Sequence, residues 1–314
     1  MREVVWTEKH RPSSLQHMSL SDGVRTFFTE LLKGERSLPN ILLYGPPGSG
    51  KTTLALILST ALARKESILE LNASSDREIS VIRGKIKNFA QSKPHAGEIK
   101  IVIMDECDYL TPDAQHCLRR IIEDSQASTR FIFITNYINQ VIDPIRSRLI
   151  ALSVSGGSLA ENQQILQEVQ EKEGIFLKEK DIGQILEASS NDMRRSLVLL
   201  QTLGQCRATE EDAPALIDEI TGAIPRSLVR TILGTSTVAE ALSNTEMLVR
   251  SGYPAVSIVR ALAAAVASQP PSTEAQTEAQ HCEALQRLAA CEENLVLGGS
   301  DRIQLLMGCY AVLG

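Results

Sequence analysis

The run Ile41-Leu42-Leu43-Tyr44-Gly45-Pro46-Pro47-Gly48-Ser49-Gly50-Lys51-Thr52 decides how this chain is built. Its first four residues are apolar and read as a buried strand, and Thr53-Leu54-Ala55-Leu56-Ile57-Leu58 then turns helical. Between them stands Gly-x-x-x-x-Gly-Lys-Thr, whose glycines permit a backbone with its N–H groups aimed inward at phosphate oxygens. Residues Gly45 through Thr53 would cradle the phosphates, with Lys51 reaching the β- and γ-phosphates and the Thr52 hydroxyl holding Mg²⁺. The helix that follows adds the partial positive charge of its N-terminus. A chance Gly/Pro turn before a helix is the competing reading, and a strand on one side with a helix on the other disfavours it. The segment implies binding of a nucleoside triphosphate with Mg²⁺.

Outward from this run, residues 20 to 150 alternate between strand and helix patterns, as an α/β sheet requires. Ser67 to Leu71, Ile99 to Met104, Phe131 to Thr135 and Arg148 to Leu152 read as further strands. Helices are expected from Ile79 to Ala90 and from Pro112 to Asp124. Past Gly156-Gly157 the strand signal stops, and 159–173, 179–188 and 192–204 read as three short amphipathic helices. A second helical region begins near Ile224-Pro225, and its low-complexity piece from Ser268 to Gln280 is expected to be a loop. The expected organisation is an α/β nucleotide domain over 1–153, a small helical lid over 154–222 and an all-α domain over 223–314.

Bulk properties agree with that division. The chain has 314 residues, enough for two or three domains, and 43% hydrophobic residues, enough for real cores. A net charge of −6 argues against a uniformly basic nucleic-acid binder while leaving room for a local basic face. The cysteines at 107, 117, 206, 282, 291 and 309 form no Cys-x-x-Cys and no Cys/His cluster. They are expected to be reduced thiols in an intracellular protein without a zinc site. No apolar run reaches transmembrane length, and no signal-peptide core follows Met1, so a soluble protein with no membrane partner is expected.

Asp105-Glu106 ends an apolar strand roughly 55 positions after the phosphate loop. One carboxylate there can hold Mg²⁺ and the next can activate a water, and the pairing with the phosphate loop is what raises this above a solvated acidic turn. Asn136 ends the next strand, where an amide can hold a water or a γ-phosphate, although Asn ends strands for turn reasons too. Hydrolysis also calls for an arginine on the phosphates. Arg194 and Arg148 are the candidates, and by spacing alone either reads equally as a surface salt-bridge partner.

Taken in order, the segments WTEKHRP (6–12), LPNILLYGPPGSGKTT, LELNASSDREI, VIRGKIKNFAQ, IVIMDECD, LTPDAQHCLRRIIE, TRFIFITNY, IDPIRSRL and NDMRRSLVLLQ resemble the small subunits of replication factor C. That family is the eukaryotic and archaeal sliding-clamp loader of the AAA+ class, and the resemblance covers residues 4 to about 203. Asn136-Tyr137, Ile142-Asp143-Pro144 and the stretch from Asp218 to Val229 are most similar to one eukaryotic small subunit. The resemblance implies an α/β P-loop AAA+ domain with a helical lid and an all-α C-terminal collar. It implies an ATPase using ATP and Mg²⁺, with Thr7 and Arg11 lining the adenine pocket and Asp105 and Glu106 as the Mg²⁺ and water-activating pair. Asn136 and Arg194 would be the two sensors, and Arg148 a finger entering a neighbouring subunit's site. Implied partners are one large and three other small subunits, the PCNA sliding clamp and primer–template DNA, in the nucleus. A weakly hydrolysing structural subunit or an independent AAA+ remodeller are the rival readings. Intact Lys51, Asp105, Glu106 and Arg148 count against the first, and the long helical C-terminus against the second.

Four positions depart from the family pattern. Cys107 replaces Ala in Asp-Glu-Ala-Asp, and a small apolar residue should spare the carboxylates. Leu149 replaces Cys in Ser-Arg-Cys, Asn191 replaces Gly before Asp-Met-Arg, and Glu78 replaces Gly after Arg77. Asn191 is a residue that tolerates left-handed backbone. Arg83 and Lys87 lie four apart on one helix face, which reads as an ordinary solvated basic face by composition. The resemblance places this face, with Arg77, against DNA phosphates, contacts that need no base reading. It also implies that Gln115, Arg119 and Arg120 couple DNA contact to catalysis.

Overall fold

The apolar runs become β1 (Ile41–Tyr44), β2 (Ile68–Asn72), β3 (Lys100–Asp105), β4 (Thr129–Thr135) and β5 (Ile150–Ser153). They form one parallel sheet in the order β2-β3-β4-β1-β5. The computed structural model describes residues 4–74, 79–91, 99–206, 212–235, 237–268 and 275–313. β1 is buried at Ile41, Leu42 and Leu43, as a parallel strand covered on both faces must be. Ile41 and Leu43 face one apolar cluster and Leu42 faces the other. Each such side chain contributes about 1.5–3 kcal/mol by leaving water.

Helices α1 (Trp6–Lys9), α2 (Asp22–Leu32) and α3 (Lys51–Leu62) precede or follow β1 in the chain. α2 and α3 bury Phe28, Leu31, Leu54, Ala55 and Leu58 in the cluster that contains Ile41 and Leu43. On the other face α4 (Ile79–Gln91), α5 (Pro112–Asp124) and the short α6 (Asp143–Arg146) bury Ile86, Leu118, Ile122 and Ile145 with Leu42. α5 starts where the sequence says it should. Thr111 accepts a hydrogen bond from the Ala114 N–H and Pro112 occupies the first turn, where its missing donor costs nothing.

The lid consists of α7 (Leu159–Glu173), α8 (Glu179–Ala188) and α9 (Met193–Gln205). Ser158 and Glu161 close a capping box on α7, and Asp192 caps α9 by accepting from the N–H groups of Arg194 and Arg195. Contacts divide the chain into two units, Met1–Arg207 and Ala208–Gly314, so the lid belongs with the sheet. The second unit holds α10 (Ala213–Thr221), α11 (Arg226–Leu233), α12 (Val238–Arg250), α13 (Ala255–Ala267), α14 (Ala275–Val296) and α15 (Asp301–Leu313). Its core gathers Ile232, Leu248, Ile258, Val259, Leu262, Leu288 and Leu305.

Two expectations need correction. Ser268 to Gln280 is expected to be a loop, yet α14 is helical from Ala275, while residues 269–274 lie outside the described residues. The good helix formers Ala, Glu and Gln dominate from there, and they outweigh the low complexity. Arg148 and Leu149 were to open β5, but they sit in the turn after α6, where Arg148 N–H donates to Ile145 O and Leu149 N–H to Arg146 O. Pro144 in the first turn of α6 favours that short helix, and the strand starts only at Ile150. The six cysteines are unpaired. Among the described residues no helix is long and apolar enough to cross a membrane.

Candidate active site

β1, β3 and β4 end at the same edge of the sheet, so the loops after them converge. There Gly48, Gly50, Lys51, Thr52, Thr53, Asp105, Glu106, Asn136 and Arg194 line one cleft together with Pro47. Open parallel sheets bind ligands at this edge, beyond the carboxyl ends of the strands.

The phosphate loop has the geometry that its glycines permit. Gly48 has φ +70°, and a Cβ there would lie 1.8 Å from Asp192 Oδ1 of the lid. Gly45 has φ +151°, and a Cβ there would meet Val154 O at 2.2 Å. Larger residues are therefore excluded by conformation and by close packing together. Lys51 is only 6% exposed, and its Nζ donates to Gly45 O at 3.0 Å and Pro46 O at 2.6 Å. Burial lowers its pKa below the usual value; Asp105 and Asp108 oppose that, while Arg194 adds to it. Two cations held in one partly desolvated cleft favour an anion between them, as a polyphosphate would be.

The carboxylates are equally well placed. Asp105 Oδ2 accepts from the Thr52 hydroxyl at 2.8 Å across 53 positions of sequence, and Asp105 Oδ1 accepts from the Glu106 N–H at 2.8 Å. A hydroxyl and a carboxylate oxygen side by side form the hard-oxygen set that Mg²⁺ takes, so these residues fit that ion. Glu106 adopts left-handed backbone, φ 54° and ψ 40°. For a residue with a Cβ this costs about 1–2 kcal/mol, a strain of the kind stored at functional positions. Cys107 is buried and its thiol is pushed far up by burial, with Asp108 and Asp105 adding to it. It stays a neutral filler beside Leu110 and Phe133, as expected of a substitute for Ala.

A second, adjoining cavity lies between the N-terminal segment, the phosphate loop and the lid. Thr7, His10, Arg11, Met18, Gly50, Asn191 and Arg194 line it. The N-terminal segment is pinned there by three contacts. Trp6 N–H donates to Gln201 Oε1 at 3.0 Å, and His10 Nε2 and Lys9 Nζ both meet Glu173, at 2.5 and 2.6 Å. Burial raises the Glu173 pKa, but the hydrogen bonds from Lys9 and His10 outweigh it and hold the carboxyl below its usual range. Asn191 has φ 61°, the left-handed backbone expected where the family has Gly. Its amide donates to Gly157 O and its carbonyl accepts from Asn162.

Arg148 is not in the cleft. It precedes β5 at the opposite edge of the sheet, roughly 13 Å away along a four-residue strand. Its Nε donates to Glu123 Oε1 at 2.8 Å, and Arg119 Nε shares that same oxygen at 3.3 Å. Leu149 packs its side chain into the cluster under α5, so the bulk substituted for Cys points inward. Gln115 is buried; its amide donates to Leu110 O and Gln140 O, and its carbonyl accepts from the Ile142 N–H at 2.9 Å. α5 is thereby tied to the segments after β3 and after β4. Arg120 and Lys87 are exposed, whereas Arg77 and Glu78 lie outside the described residues, and for Arg83 only the α4 backbone is described. Sequence reasoning missed Glu123, Glu173 and Asp192. Glu123 stands one helical turn after Arg119, a spacing that signals an ion pair, and Asp192 stands directly before α9, where a cap is expected, but nothing local signals Glu173.

Residues 41–155 match the model of the ATPase family associated with various cellular activities, and residues 223–311 match the replication factor C C-terminal domain. Replication factor C small subunit 1 of Pyrobaculum arsenaticum is 34% identical over 313 residues, covering 98% of this chain and 93% of that one. Human replication factor C subunit 4 is 31% identical, covering 99% of this chain and 88% of the human one. Among solved structures, the Thermotoga maritima RuvB Holliday junction branch migration motor matches with a TM-score of 0.56 at 20% identity, over 76% of this chain and 85% of that one. That likeness is one of fold. With two family models in the expected order and relatives matched from end to end, the chain belongs to the replication factor C small subunits within the AAA ATPases.

Proposed function

We propose that this chain hydrolyses ATP as one small subunit of a clamp loader, at sites shared between neighbouring subunits. The observation that carries this is the separation of Arg148 from its own cleft. Lys51, Thr52, Asp105, Glu106, Asn136 and Arg194 converge at one sheet edge while Arg148 stands at the other. That cleft holds a lysine, two carboxylates and one arginine, Arg194; the finger arginine of a phosphoryl-transfer site can be supplied in trans, and Arg148, outside its own cleft, fits that part.

In this reading the phosphate-loop N–H groups, Lys51 and Arg194 bind the triphosphate, and the cavity lined by Thr7 and Arg11 takes the adenine. Thr52 and Asp105 would hold Mg²⁺, which when bound would neutralise charge on the phosphates. Glu106 accepts the proton of the attacking water, and Asn136 orients that water or the γ-phosphate. The subunit works with one large and three other small subunits, in the nucleus, to load PCNA on primer–template DNA. Arg83, Lys87 and Arg77 track the DNA phosphates, and the Gln115 hydrogen bonds give α5 a mechanical route from DNA to both carboxylate and finger segments. The C-terminal helices serve as the collar.

The test is DNA- and clamp-stimulated ATP turnover of the co-expressed complex, with Glu106→Gln or Arg148→Ala in this chain alone. Loss of stimulated turnover in both, with the complex intact, supports the reading. If neither change matters while loading continues, the chain is a structural member of the ring.

A further inference from the structure

Arg148 has no idle donor facing its own subunit. Its Nε and Nη2 both reach Glu123 Oε1, at 2.8 and 2.5 Å, and its Nη1 donates to Pro144 O at 2.6 Å and Ser147 Oγ at 3.2 Å. Glu123 occupies the Nε and Nη2 side of this guanidinium and Pro144 and Ser147 occupy Nη1, so the group must give up partners in its own subunit before it can fork onto phosphate oxygens. Glu123 lies on the last turn of α5, and Arg119 Nε, one turn earlier, competes for the same oxygen. The two arginines hold the Glu123 carboxyl below its usual range, Arg119 first, so it is ionised at neutral pH.

We infer that Glu123 parks the Arg148 finger against its own subunit, and that Arg119 sets how firmly it is held. This rests on the reading of Arg148 as a finger acting in trans. Glu123 is a positioning residue here, since it touches neither nucleotide nor water and acts only through Arg148. The carboxylate is partly exposed, so its hold on the guanidinium is modest and reversible, which suits a catch and not a lock. Arg119 drawn towards Glu123 weakens the hold on Arg148, and Arg119 drawn away strengthens it. Movement of α5 thereby reaches a neighbouring chain's site without passing through this chain's own phosphates.

The experiment is ATP turnover of the co-expressed complex, with and without clamp and DNA, carrying Glu123→Gln in this chain. The amide keeps the shape but loses the charge that holds the guanidinium. Unstimulated turnover should rise about two- to fivefold, the range of an exposed ion pair, while stimulated turnover stays as it was. Glu123→Asp should return most of the restraint. A merely structural role for Glu123 would lower both rates and never raise the unstimulated one. Unchanged or lowered unstimulated turnover in Glu123→Gln, alongside loss of stimulated turnover in Arg148→Ala, overturns the parking alone. No effect of Arg148→Ala overturns the finger reading and the parking with it.

Discussion

The phosphate cleft and the Arg148 surface use charge in opposite ways. In the cleft, Lys51 is buried, held by backbone carbonyls, and lowered in pKa by the loss of water around it. At the far edge, Arg148 keeps a carboxylate partner in a partly exposed position, side chains 28% and 37% exposed. A buried cation among fixed partners is rigid, whereas an exposed pair exchanges partners at little cost. One region keeps its cation fixed against the backbone, and the other leaves its guanidinium on a partner it can exchange.

The strongest way to break this contrast is Arg148→Ala. Hydrolysis at the one neighbouring site that Arg148 enters should fall about a thousandfold, read as loss of that site's share of stimulated turnover, while ATP binding to this chain, followed with a fluorescent nucleotide, is unchanged. A weakened affinity here would put Arg148 in its own site and erase the distinction. Glu106→Gln sharpens the contrast from the other side. It should slow hydrolysis about a hundredfold yet leave nucleotide bound, a split visible by comparing turnover with binding in the same preparation.

Gly48→Ala probes the rigidity of the cleft. The added Cβ would collide with Asp192 Oδ1, at a backbone angle that L-residues avoid, so the cost should be about 2 kcal/mol with ATP affinity reduced. Wild-type affinity would mean that the lid loop yields freely, contrary to the close packing described. The smallest effect concerns the N-terminal segment. Because the Glu173 carboxyl is held below its ordinary value of 4.5, its contribution is complete above that value and is lost as pH falls through the lowered one. Glu173→Gln should remove about 1 kcal/mol near neutrality and abolish that acid-side loss, read by fluorescence of Trp6, which packs on His10. Equal acid sensitivity in both proteins would assign the loss to other groups.

Most of the sheet and the lid helices are legible in the sequence. The lid helices at 159–173 and 179–188 coincide with the observed spans, because capping residues and amphipathic spacing are read within one window. The start of β5 is not, because Leu149 and Ile150 look equally strand-like and only the turn built on Pro144 separates them. The start of α14 is hidden for a different reason, since its low complexity reads as loop although its Ala, Glu and Gln residues favour helix.

From residues alone came the phosphate loop, the carboxylates at a strand end and the succession of an α/β region by helical ones. Each depends on backbone freedom or periodicity over a dozen neighbouring positions, which an amino-acid string displays directly. Folding alone joined Thr52 to Asp105, Glu173 to His10, Asp192 to Gly48 and Glu123 to Arg148, pairs separated by as many as 163 positions in the case of His10 and Glu173. Such partners meet because the sheet runs β2-β3-β4-β1-β5 and the lid returns over the phosphate loop. That order is a property of how whole elements bury their apolar faces together, so no local window contains it.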